Sequence, residues 1–131
     1  MTKKLTPTVE IELDKKRPMV LDLNAIYTFE KYAGIPFFQS YLARTKEDIE
    51  GKTPQEIGKM TKISEVHAMV YACLNAADDD FEFSFKDVGK LIDLSNLVYA
   101  QQKTYDLVIE SQRMEGKEAK GEGKNENRST G

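Results

Sequence analysis

The chain has no tryptophan, one cysteine (Cys73) and one histidine (His67). A single cysteine excludes an intrachain disulfide framework and a cysteine-cluster zinc site, and it fits a reducing compartment. With no second histidine, neither a serine triad nor a zinc site finds support. No apolar run nears the ~18–20 residues that span a membrane. The start, Met1-Thr2-Lys3-Lys4-Leu5-Thr6-Pro7, lacks the apolar core of a signal peptide. A basic surplus is missing too: 19 Lys and Arg face 22 Asp and Glu, for a net charge of −3. That balance argues against a protein that coats nucleic acid. The absences together imply a small soluble cytoplasmic protein.

What is present suits one domain. The chain has 131 residues, 40% of them hydrophobic and 31% charged, enough for one core and a solvated surface. Residues 1–7 read as a flexible N-terminus and 8–114 as the folded unit. Residues 115–131 hold one hydrophobic side chain, Ala119, and balanced charges. A segment with nothing to bury cannot offset its ordering entropy, so a disordered tail is expected there.

Val9, Ile11 and Leu13 alternate with Glu10 and Glu12, the period of a half-buried strand. Asp14 to Pro18 reads as the turn, and Met19 to Leu23 returns as a second strand. A helix follows, with Asn24 as its cap, Ile26, Phe29 and Ala33 on one stripe, and Gly34 at its end. Residues 35–44 predict a short second helix or turn from Pro36. Thr53-Pro54-Gln55-Glu56 is a capping box opening a helix to about Met60. Ile63, Val66, Val70, Leu74 and Ala77 predict a central helix over 63–77, widened by Met69 and Cys73. Ser84 with Asp87 caps a short helix carrying Phe85, Val88, Leu91 and Ile92. A last helix is expected from Asp93 or Leu94 to about Arg113, its apolar side interrupted by Gln101 and Gln102. The fold class is mainly α: a small bundle of about five helices with an N-terminal β-hairpin.

Tests for chemistry fail one after another. Gly51-Lys52-Thr53 ends like a phosphate-binding loop, but the first glycine position holds Lys46 and no buried strand precedes it. Asp78, Asp80, Glu82 and Ser84 alternate like calcium ligands. The glycine position of such a loop holds Phe83, and its closing glutamate position holds Gly89. His67 and Cys73 stand six residues apart, on different sides of one helix. No catalytic residue, metal ligand or cofactor follows. Lys15-Lys16-Arg17 is offset by Glu10, Glu12 and Asp14, and the 63–77 helix carries no lysine or arginine. The chain therefore reads as a non-enzymatic interaction protein. Ile35, Phe37, Phe38 and Tyr41 are the candidate partner-binding residues, since large apolar side chains crowd a short connecting segment. The alternative, favoured for Phe37 and Phe38, is that these side chains fill the core of a domain without tryptophan.

Two segments carry a family resemblance. One is the hairpin leading into Leu21-Asp22-Leu23-Asn24-Ala25-Ile26, then Phe29-Glu30 and Gly34. The other is His67-Ala68-Met69-Val70-Tyr71-Ala72-Cys73-Leu74, the acidic break at 78–80, then Phe85-Lys86-Asp87-Val88 and Leu91-Ile92-Asp93. This order resembles the tail assembly chaperones of long-tailed, siphovirus-like bacteriophages and prophages, across about residues 8–113. Tyr71 stands where that family often has tryptophan.

The resemblance implies a chaperone that binds the tape measure protein and helps recruit tail tube protein subunits, with a homo-oligomer as a further expectation. It implies work in the host bacterial cytoplasm, absence from the mature virion, and no membrane or nucleic-acid partner. In that family a ribosomal frameshift gives a longer form. Glu115-Gly116-Lys117 and Glu122-Gly123-Lys124 are tripeptides that a slippery G-GGA-AA message can encode. The competing readings are a structural virion protein (head–tail connector or minor tail protein) and a small regulatory nucleic-acid binder.

Overall fold

The computed structural model describes residues 6–43 and 50–122. The rejected phosphate-loop stretch at 45–49, Lys3-Lys4, and residues 123–131 of the expected tail lie outside them. The described elements are two strands, five α-helices and two 3₁₀ turns.

Strands β1 (Thr8–Glu12) and β2 (Lys16–Val20) form an antiparallel hairpin, with Glu12 opposite Lys16 and Thr8 opposite Val20. Its turn is tighter than the expected Asp14–Pro18 turn. Arg17 is the reason. It donates two 2.8 Å hydrogen bonds to the Asp14 carboxylate. Its guanidinium also lies 4.8 Å from the Phe83 ring centroid and 5.8 Å from that of Phe81. With those partners a charged residue can enter the strand. The bonds from Arg17 hold the Asp14 carboxyl down at about 2. Leu13 N–H donates to the Lys15 carbonyl and Leu21 N–H to that of Pro7. Odd positions of β1 therefore carry the ladder, and Pro18, opposite Glu10, costs it no bond. Ile11 and Met19 point inward and are fully buried.

Helix α1 (Leu23–Ala33) is capped by Asp22, not Asn24: Asp22 Oδ1 accepts the Ala25 N–H at 2.9 Å. Starting there turns Ala25 and Phe29 into the core and leaves Asn24 exposed. Gly34, at φ 76°, ends the helix in the left-handed region. Helix α2 (Pro54–Gly58) opens on the Thr53–Glu56 capping box, with both reciprocal bonds made, and ends before Met60.

Helix α3 (Ile63–Ala77) runs as expected and is the hub of the domain. Val66, Met69, Val70, Cys73 and Leu74 are all buried, because the helix packs against α1, β2 and the two later helices. Helix α4 (Phe85–Leu91) opens on the Ser84–Asp87 capping box.

Helix α5 (Leu97–Glu122) starts later than the expected Asp93 or Leu94. Asp93 and Asn96 bond each other's turn instead of a helix: Asp93 N–H donates to Asn96 Oδ1 at 2.8 Å, and Ser95 N–H to Asp93 Oδ1 at 2.9 Å. Leu94, expected on the apolar side of this helix, is 91% exposed. Gln101, expected to interrupt that side, is buried within it. The helical backbone continues past Arg113 to Glu122, through Gly116 and Gly121, and so takes in residues 115–122 of the expected tail. Tyr99 on α5 accepts the Glu12 N–H at 2.8 Å and ties the helix to the hairpin. No helix among the described residues is long and apolar enough to cross a membrane.

Cys73 is fully buried, and that burial pushes its thiol up from its ordinary value. A thiol reagent at pH 8 is expected to leave the native chain unlabelled and to modify Cys73 only at the rate of unfolding. Burst labelling of the folded protein would show that α3 is not central.

Candidate functional site

The segment 35–41 splits between core and surface. Pro36 starts a 3₁₀ turn at Phe37–Gln39, and a second follows at Tyr41–Ala43. Neighbouring side chains in a 3₁₀ turn diverge by about 120°, so one of two adjacent phenylalanines faces inward. Phe37 is that one, 2% exposed. Its ring meets Phe29 edge-on at 5.5 Å, and its N–H donates to Glu30 Oε2 at 2.9 Å. Tyr41 is wholly buried, 4.9 Å from the Tyr105 ring, with its hydroxyl 2.9 Å from Thr104 Oγ1. Burial pushes its phenol well up. Ile35 is half-buried against the same core. Phe38 alone of the four candidates stands out, 76% exposed. Phe37 and Tyr41 are thus corrected from partner-binding candidates to core residues.

A concave feature lies elsewhere among the described residues. Between α3, α4 and the start of α5 is an open apolar groove of about 320 Å³. Ile63, Val66 and His67 line it from α3, Gly89 from α4, and Ile92, Asp93, Leu94 and Leu97 from the stretch that follows. Two of its lining side chains are left largely in solvent: Ile63 is 63% exposed and Leu94 stands at the tip of the Asp93–Asn96 turn. Asn96 Nδ2 donates to the Leu91 carbonyl and fixes that turn against the end of α4. The Asp93 carboxyl is held below its usual range by hydrogen bonds from the Ser95 hydroxyl and backbone.

His67 forms the groove's back wall. Its ring stacks on Phe85, centroids 3.7 Å apart, and Nε2–H donates to the Phe85 carbonyl at 2.7 Å. A Cβ on Gly89 would lie 2.9 Å from His67 Cε1, so this packing requires glycine. Behind Phe85 the aromatic run continues through Tyr32, stacked at 4.4 Å, and Tyr71, edge-on at 5.6 Å. The sole histidine is therefore a packing residue bonded to backbone, while Cys73 is buried in the core. Asp78 spends its carboxylate on the Asp80 N–H, and Ser84 caps α4, so two of the calcium-like positions serve turns.

The sequence reading missed this groove. A signal was there: Leu94, an apolar residue inside the turn-forming run Asp93-Leu94-Ser95-Asn96. Comparison of the chain with protein-family models, curated proteins and solved structures finds no match in any of the three.

Proposed function

We propose that this chain is a non-enzymatic assembly chaperone of the phage-tail kind, holding an amphipathic helix of the tape measure protein in the α3–α4–α5 groove. The observation that carries the reading is the groove itself, with Leu94 and Ile63 presented at its mouth. An apolar groove beside exposed aliphatic side chains is the form that takes the apolar face of a partner helix. Burying two such side chains supplies roughly 3–6 kcal/mol before the costs of association. One contact of that size is weak and releasable. Many copies along one long partner hold it firmly, which is what a temporary sheath requires. Recruitment of tail tube subunits, a homo-oligomer on the partner, a longer frameshifted form and absence from the finished particle belong to the same proposal. The order of hairpin, capped helix, central helix, acidic break and second capped helix, which carries the resemblance, supports it.

Co-expression with a phage tape measure protein tests the reading. The expected result is a soluble, co-eluting complex, lost on Leu94→Asp while the variant keeps its circular dichroism and melting temperature. An insoluble partner with no complex, or recovery of this chain in purified particles, would overturn it in favour of a structural virion protein.

A further inference from the structure

We infer that the groove takes a partner helix with a lysine or arginine beside its apolar stripe, and that the Asp93 carboxylate receives that cation. This rests on the docking reading above and goes beyond it by naming the partner's charge. Among the described residues Asp93 is the one charged side chain lining the groove. Apart from His67 and Gly89, the rest of the lining is aliphatic. Lys62 and Lys90 adjoin Ile63 and Gly89 in sequence but do not line it, and Lys90 interacts with Asp87. His67 Nε2 is spent on the Phe85 carbonyl. Asp93 is exposed. Its Oδ1 accepts both the Ser95 N–H and the Ser95 hydroxyl, while Oδ2 takes no hydrogen bond or ion pair among the described residues. The groups that keep this carboxyl ionised are the Ser95 hydroxyl and the backbone of the turn, and none of them is a cation.

The carboxylate is also held still. Asp93 N–H donates to Asn96 Oδ1, and Asn96 Nδ2 donates to the Leu91 carbonyl, so the turn is tied to itself and to the end of α4. An exposed ion pair is ordinarily weak, in part because two long side chains must be ordered to make it. Here one partner is short and already fixed, so the ordering cost falls on the incoming cation alone. The net charge of −3 acts in the same direction at longer range. A second copy is the less favoured occupant. A two-fold pairing sets the same patch against itself, and no cation lines the groove to meet the mate's Asp93. A helix with Lys or Arg beside its leucines meets both the apolar floor and the free carboxylate oxygen.

The test uses two synthetic helical peptides with one apolar stripe, flanked by Lys in one and by Glu in the other, titrated against the full chain. The Lys peptide is expected to bind about fivefold tighter at low salt, the gap closing near about 0.5 M salt. Asp93→Asn keeps an oxygen for the Ser95 N–H and removes the charge, so it is expected to erase most of that preference. Leu94→Ser leaves the charge alone and is expected to weaken both peptides alike. If Asp93→Asn fails to fold, the native chain still decides: replacing the peptide's lysines singly by Gln should cost affinity at one edge of the stripe only. Equal binding of the two peptides, preference for the Glu peptide, a preference that survives Asp93→Asn, or an equal cost at every lysine overturns the inference. So does self-association, seen by sedimentation, that excludes the Lys peptide. If neither peptide binds while the tape measure protein is still solubilised, the charge readout is wrong and the chaperone reading stands. If the Lys peptide binds through Asp93 but co-expression fails, the charge readout stands and the tape-measure reading falls.

Discussion

Phe37→Ala is expected to destabilise the domain by about 3–5 kcal/mol, while Phe38→Ala stays within about 0.5 kcal/mol of the parent. The two residues are adjacent and chemically identical, so their difference is purely one of placement. Phe37 is 2% exposed and Phe38 76%. Truncating Phe37 removes a ring that touches both Phe29, at 5.5 Å, and Tyr41, at 6.1 Å. Those rings pack further, Tyr41 on Tyr105, so the neighbours cannot collapse into the void without moving α1 or α5. Against a total stability of about 5–15 kcal/mol, that loss is a large share of the whole. Urea denaturation of the two variants decides the matter. Equal midpoints would mean that the 3₁₀ turn does not hold this orientation.

The elements that wrote their own ends were legible from sequence. The two capping boxes, Thr53–Glu56 and Ser84–Asp87, each supply both bonds from residues three apart, so local chemistry alone settles where α2 and α4 begin. The α3 stripe was legible because a buried hub repeats its apolar residues on every side. Where two local signals competed, the sequence did not decide. Asp22 and Asn24 are comparable caps, and the choice fell to whichever start buried Phe29. Leu94 fits a helical stripe, but Asp93 and Asn96 form a turn that holds it outside. Gln101 looked like an interruption, yet α2 and α5 pack closely there: a Cβ on Gly58 would come within 3.7 Å of the Gln101 amide oxygen. The candidate site suffered most. Crowded aromatics mark a core and an interface alike, and only the three-fold step of a 3₁₀ turn separates Phe37 from Phe38. The groove was hidden because it joins residues from 63 to 97 that no short window contains.

Gly89→Ala is expected to carry opposite signs in two backgrounds. Gly89 lies inside α4, where replacing glycine by alanine ordinarily gains about 1 kcal/mol. Here the new Cβ would sit 2.9 Å from His67 Cε1 and 3.1 Å from Nε2. The imidazole cannot step aside freely, because it is stacked on Phe85 and hydrogen-bonded to the Phe85 carbonyl. Moving the ring forfeits both, so in the parent chain the substitution is expected to cost about 1–3 kcal/mol. In a His67→Ala background nothing lies in the way, and Gly89→Ala should stabilise by up to about 1 kcal/mol. The double-mutant cycle then yields a coupling of about 2 kcal/mol or more between residues on different helices. Thermal or urea melts of the four proteins measure it. The groove supplies a second readout, since its back wall is that ring: Gly89→Ala alone should weaken co-elution with the tape measure partner, with Leu94 untouched. Additive energies, with Gly89→Ala stabilising in both backgrounds, would show that the ring is free to move and that His67 does not shape the groove.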